Sequence, residues 1–188
     1  MKSDSSNTVR VAVITGGAMG IGGAAAQHLA ASGHRVIIAD RDRQAADLTV
    51  AALVALGHQA DTVTMDVSEP ASIASGFAHI EQLTGRCDIL VNSAGVATVA
   101  AFLDFKLEEF QRTMNINVTG TLLCSQHAAR LMVKHQWGRI INIASVAGMR
   151  AVGSGRTAYG TSKGAVIALT RQMAVELAEH GITANAVC

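Results

Sequence analysis

The chain has 188 residues, 49% of them hydrophobic and 15% charged, with a formal net charge of +1. That suits one globular domain and excludes a disordered segment, a polybasic nucleic-acid binder and a membrane-surface module. Cys87, Cys124 and Cys188 are far apart with no CxxC pairing, which reads as reduced thiols in the cytoplasm, and no apolar run approaches the ~18 residues needed to span a bilayer.

Residues 1–8 are polar and read as a flexible N-terminus, neither signal peptide nor anchor. Residues 9–188 read as one domain in which short apolar runs alternate with helical stretches. The first strand is Val9 to Thr15, followed at once by glycines. Met19 to Ser32 is Ala-rich and helical, and Gly33 stops it. Val36 to Ala39 is the second strand, closed by Asp40, and Arg43 to Leu56 the next helix, ended by Gly57. Thr62 to Val67 is the third strand. Ser68 then caps a helix with Pro70 in its first turn, running to about Thr84. Ile89 to Asn92 is the fourth strand. Leu107 to Gln136 is a long helix with a break near Asn115 to Gly120. Arg139 to Ala144 is the fifth strand. A Gly-rich loop, Gly148 to Arg156, leads to a helix from Thr157 to His180, and Ile182 to Val187 is a sixth apolar run. Alternating strands and helices predict βαβ crossovers, an α/β doubly wound parallel sheet in three layers, and ligands beyond the carboxyl ends of the strands.

The turn after the first strand is Thr15-Gly16-Gly17-Ala18-Met19-Gly20-Ile21-Gly22. Glycines there let the backbone approach a diphosphate, and the following helix offers unpaired N–H groups and a positive dipole end. Asp40 lies 18 residues past Gly22 at the end of the second strand. A carboxylate there accepts both hydroxyls of an adenosine ribose and repels a 2′-phosphate. This favours NAD over NADP, although Arg41 leaves some room for the phosphorylated cofactor. A methyltransferase using S-adenosylmethionine shares both features, so later residues must discriminate.

Tyr159 and Lys163 are four apart in a helical stretch, hence on one face, and Tyr159 is the only tyrosine. A phenol exchanges protons poorly at neutral pH unless a neighbouring cation stabilises its anion. Ser145 ends the fifth strand, placed to hold a substrate oxygen as charge develops. The Tyr–Lys pair has no role in a methyltransferase. The seven histidines show no metal-ligand spacing, and no metal is expected.

Together these residues resemble the short-chain dehydrogenase/reductase family. Thr15-Gly16 through Gly20-Ile21-Gly22 matches its TGxxxGIG turn, and Asp66-Val67 the pair that contacts adenine. Asn92-Ser93-Ala94-Gly95 resembles its NNAG element, with Ser93 in place of the second Asn. Asn117 matches its helix asparagine, Ser145 its catalytic serine, and Tyr159-x-x-x-Lys163 its YxxxK. The resemblance implies a Rossmann-like fold and hydride transfer between NAD(H) and an alcohol or ketone. Tyr159 would be general acid/base, Lys163 would hold the nicotinamide ribose, Ser145 would orient the substrate oxygen, and Asn117 would hold a relay water. Thr15, Gly16, Gly20, Ile21, Gly22, Asp40, Arg41, Asp66, Val67, Asn92, Ala94, Gly95, Tyr159 and Lys163 would line the cofactor.

The resemblance also implies a Pro-Gly turn, a substrate-covering loop and helix, another helix and a final strand beyond Cys188. Their lack reads as a fragment of a longer enzyme, the alternative being an NAD-binding module without turnover. Family members pair through the long helix and the catalytic one, which implies a homo-oligomer, dimer or tetramer. Ala165, Leu169, Met173 and Leu177 form an apolar stripe that suits either that contact or the sheet.

Overall fold

Runs rich in Val and Ile become strands because their branched side chains pack well on a pleated surface, and the Ala-rich stretches between them become helices. The computed structural model describes residues 9–188, so the expected flexible tail lies outside the described residues. In chain order the elements are β1 (Val11–Thr15), α1 (Gly20–Ala31), β2 (Arg35–Asp40), α2 (Arg43–Ala55), β3 (Ala60–Thr64), α3 (Pro70–Thr84) and β4 (Ile89–Asn92). There follow α4 (Leu107–Met114), a π-helical turn (Asn115–Thr119), α5 (Gly120–Val133), β5 (Gly138–Ile143), α6 (Thr157–Glu176) and β6 (Ile182–Val187).

All the strand pairs are parallel, in the order β3-β2-β1-β4-β5-β6. The order reverses between β1 and β4, where the crossovers on either side leave opposite faces of the sheet and a crevice opens. One face is covered by α1 and α2, through Ala26, Ala30, Ala46 and Leu53. The other is covered by α3, α5 and α6, through Ile73, Phe77, Ile80, Cys124, Ala128, Met132 and Met173. Leu169 and Leu177 pack on that second core beside Met173, so the stripe on α6 faces the sheet.

The structure corrects the expectation in three places. β3 pairs over Ala60–Thr64 rather than Thr62 to Val67: the Met65 N–H donates one last bond to the Asp40 carbonyl at 3.0 Å, after which the chain leaves the ladder, and Met65 and Val67 pack beneath α3 and α5. The cap of α3 is Glu69, with Pro70 next, because the Ser68 hydroxyl bonds the Asp66 carboxylate. The last helix ends at Glu176 and continues as a 3-10 turn, Ala178–His180, before Gly181 takes a left-handed φ of 68°.

At the amino end of the sheet, away from the crevice, Asp88 is fully buried. Its carboxylate accepts from the Val11 N–H at 2.8 Å and from Arg86 at 2.7 Å. Trp137 lies nearby between two guanidinium groups, Arg10 at 3.9 Å and Arg139 at 4.4 Å from its ring. Buried charge is tolerable there because every oxygen has a partner.

Candidate active site

A cleft of about 540 Å³ opens at the carboxyl ends of β1, β2, β4 and β5. Gly16, Asp40, Arg41, Asp66, Val67, Ala94 and Gly95 line it together with Tyr159 and Lys163. The sequence motifs from both halves of the chain therefore meet at the switch point.

The glycine turn is built by close approach. Gly16 takes a φ of 63°, and a Cβ there would fall 2.8 Å from the Ala94 backbone. A Cβ on Gly22 would fall 2.2 Å from the Gly16 carbonyl oxygen, so the first turn of α1 lies directly against the loop. Gly20 also has a positive φ, 58°, and open space where its side chain would be. Met19, the N-cap of α1, makes no side-chain cap, so the first N–H groups of the helix remain available. Thr15 is buried, and its hydroxyl accepts from Ser93 and Ala94 N–H at 3.2 and 3.4 Å, fastening the end of β1 to the segment after β4.

The acidic edge is ordered by backbone donors and by the Ser68 hydroxyl. Asp40 accepts the Ala18 N–H and the Asp42 N–H, each at 3.1 Å. Asp66 accepts the Ser68 O–H at 2.7 Å and its N–H at 2.9 Å. Those two donors, the hydroxyl foremost, hold the Asp66 carboxyl below the usual carboxylate range.

On the opposite wall, Lys163 is buried and donates to the Ile143 carbonyl at the end of β5. Its nitrogen lies 5.7 Å from the Tyr159 ring centroid. Burial pushes the ammonium pKa down from its usual 10.5. Ser145 begins a 3-10 turn, Val146–Gly148, and its hydroxyl accepts the Ala147 N–H at 3.1 Å. That turn presses on α6: a Cβ on Gly148 would fall 2.5 Å from the Lys163 backbone, and one on Gly160 would fall 3.1 Å from the Ala147 carbonyl. Ser145 is thereby tied to the turn of α6 that spans Tyr159 and Lys163.

Asn117 sits in the π-helical turn that breaks the predicted long helix. Its side chain accepts the Val96 N–H and donates to the Val96 carbonyl and the Ser162 hydroxyl, all at 2.9 Å. It thus clamps the post-β4 segment to α6. Asn92 turns away from the cleft. Its amide donates to Asn142 at 2.8 Å and to Ser125 at 3.0 Å, and Asn142 donates to Thr170 at 2.8 Å. Neither this buried ladder nor Ser162 was anticipated. Their signal was a polar residue at a fully buried position, as in Ile141-Asn142-Ile143, which demands a partner.

Comparison with known proteins agrees with this geometry. A family model described as short chain dehydrogenase matches residues 10–188. A 3-oxoacyl-[acyl-carrier-protein] reductase from Synechocystis sp. is 39% identical over 96% of this chain and 73% of its own length. The crystal structure of gox2181 superposes with a TM-score of 0.93 at 36% identity, covering 96% of this chain and 71% of the other. An NAD+-bound xylitol dehydrogenase superposes with a TM-score of 0.91 at 34% identity, over 94% and 68% of the two chains. With its Rossmann-like sheet and a family match over nearly all of its length, the chain belongs to the short-chain dehydrogenase family.

Proposed function

We propose that this protein transfers a hydride between a nicotinamide dinucleotide, NAD in preference to NADP, and an alcohol or ketone, with Tyr159 as general acid/base. The observation that carries this reading is the convergence of Tyr159 and Lys163 with Gly16, Asp40 and Asp66 on one cleft. The residues present fit a dinucleotide: the space over Gly20 and the uncapped start of α1 suit a diphosphate, and Asp40 suits a ribose diol. A repulsive carboxylate at that position disfavours a 2′-phosphate, which supports NAD.

A bound nicotinamide supplies or accepts the hydride. The chain's own groups handle the proton. Tyr159 takes the hydroxyl proton of an alcohol, or returns it to a ketone, and the Lys163 ammonium stabilises the phenolate formed in between. The Ser145 oxygen accepts the Ala147 N–H, which leaves its own proton free for the substrate oxygen. Asn117 Oδ1 and Lys163 Nζ both border the missing side chain of Gly95, at 3.2 and 3.7 Å from where its Cβ would lie. A water between them passes the proton on from Lys163.

We also infer a reducing compartment, the cytoplasm, and a homo-oligomer. Cys87 and Cys124 are unpaired and buried, and burial pushes the Cys124 thiol up to about 12, which keeps it unreactive. Phe102, Leu103 and Leu107, before and at the start of α4, expose apolar surface suited to a second copy, and sedimentation tests for it.

The deciding experiment is a panel of alcohols and ketones with NAD and NADP, read by absorbance of the reduced nicotinamide. Tyr159→Phe is expected to lower kcat by at least about a hundredfold with cofactor affinity retained. Near-normal turnover in that variant would refute the assignment.

A further inference from the structure

The charges around the cleft are segregated. The carboxylates that line it, Asp40, Asp42 and Asp66, sit at the glycine-turn end. From Phe110 to Val175 the sequence contains no Asp or Glu, and from this stretch Arg156 and Lys163 lie beside the Tyr159 ring. Arg156 immediately precedes α6, is exposed, and holds its guanidinium carbon 6.0 Å from the Tyr159 ring centroid. It has no carboxylate partner among the described residues. Glu109, whose partner Thr98 lies on the segment after β4, is already engaged by Thr98 at 3.1 Å and Arg112 at 3.7 Å.

The backbone at Arg156 is also held in place, its carbonyl accepting the Gly160 N–H at 2.7 Å. The Ala100 N–H donates to the Gly155 carbonyl at 3.3 Å, and a Cβ on Gly155 would fall 2.9 Å from Val99. The loop that carries Arg156 is therefore clasped to the segment that continues from the cleft residues Val96 and Ala97. On the same two segments, Val99, Val146, Met149 and Val152 expose apolar side chains.

We propose that Arg156 is a specificity-determining residue that selects an anionic substrate, a short hydroxy or oxo acid whose carboxylate lies a few bonds from the reacting carbon. This rests on the hydride-transfer reading above. A planar guanidinium with no internal partner offers a bidentate carboxylate site, and the apolar side chains suit the hydrocarbon part. In the oxidative direction the carbinol C–H bond breaks and its electron pair leaves as hydride to the oxidised nicotinamide. The O–H proton goes to Tyr159 and the C=O bond forms, with the carboxylate unchanged.

The test compares 2- and 3-hydroxy acids with their methyl esters in the wild type, Arg156→Gln and Arg171→Gln, the last removing one exposed charge elsewhere on α6. The acids are expected to be favoured at least tenfold in kcat/KM. Arg156→Gln should abolish that preference through KM and leave the esters unchanged, and Arg171→Gln should behave as wild type. Calorimetric titration of unreactive butyrate in the presence of NAD reads the same site without turnover, with affinity falling at least fivefold in Arg156→Gln. Equal use of acids and esters, or butyrate affinity that is absent in the wild type or unaltered by Arg156→Gln, overturns the proposal. Butyrate binding that depends on Arg156 without any turnover supports the anion site and counts against the hydride-transfer reading.

Discussion

Asn142 lies directly across the β4–β5 ladder from Asn92 and accepts a hydrogen bond from its amide at 2.8 Å, among apolar neighbours on both strands. Thr170 on α6 accepts in turn from Asn142. The ladder therefore sets the height of α6 against β5, one residue before the Ile143 carbonyl that receives Lys163.

Replacing Asn142 with Ala should lower stability by about 2 kcal/mol, because the Asn92 amide loses one of its two partners in a region water does not reach. Urea unfolding measures this. Asn142→Ala combined with Thr170→Val should cost less than the sum of the single changes, since they share one bond. Strict additivity would show that the ladder does not act as a unit.

The two neighbouring glycines of α1 should respond in opposite ways. Gly22→Ala forces a Cβ to within 2.2 Å of the Gly16 carbonyl oxygen, so we expect a loss of about 2–3 kcal/mol and a deformed nucleotide turn. At Gly23 the nearest atom is 3.6 Å away, and Ala should stabilise the helix by up to about 1 kcal/mol. Thermal unfolding of the pair of variants checks both signs.

Stability should depend on pH through Lys163. Its folded pKa lies below the usual 10.5, so between those two values the unfolded chain holds more protons and stability rises with pH. Below the folded pKa both states are protonated and the full cost of burying the ammonium is present. Relative to the wild type, Lys163→Met should therefore gain most at pH 7, offset by the donor lost to the Ile143 carbonyl, with its advantage shrinking as pH approaches 10.5. An advantage that widens with pH would have the wrong sign. Turnover should be lost in the same variant.

Asp40 should govern the choice of cofactor. Asp40→Ala removes the repulsion of a 2′-phosphate and one acceptor for the ribose, so the ratio of NAD to NADP in kcat/KM should fall at least about tenfold. Steady-state kinetics with both cofactors measure it. The Asp42 N–H that Asp40 accepts is exposed, whereas Ala18 is buried, so the loss of stability should come from the Ala18 N–H and amount to about 1 kcal/mol.

Much of the fold was legible because local chemistry and tertiary position agree. β4 and β6 fall where the apolar runs place them, and the expected break before Gly120 is a π-helical turn within a continuous helix. A Cβ on Gly120 would fall 2.7 Å from the Val67 carbonyl, so the glycine there serves close packing. β3 was misread because Met65 and Val67 look like strand residues yet are inward-facing loop. Their burial comes from α3 and α5, which no local pattern reports. Among the site residues, Gly16, Asp40, Asp66, Tyr159 and Lys163 converge on the cleft, whereas Asn92 joins the buried ladder and Asn117 clamps the loop after β4. Each asparagine's hydrogen-bonding pattern depends on partners on other elements, at positions that sequence spacing alone does not fix.

The π-helical turn at Asn115–Thr119 has a consequence for how this chain tolerates insertions and deletions. Each helical residue contributes about 100° of rotation, and a π turn carries one residue more than its α equivalent. Removing that residue would swing Cys124, Ala128 and Met132 from the apolar interior toward water while Thr113 upstream stayed in place. The bulge thus works as a phase offset between two halves of one helix, and the length of that segment is as constrained as the identity of any side chain in it.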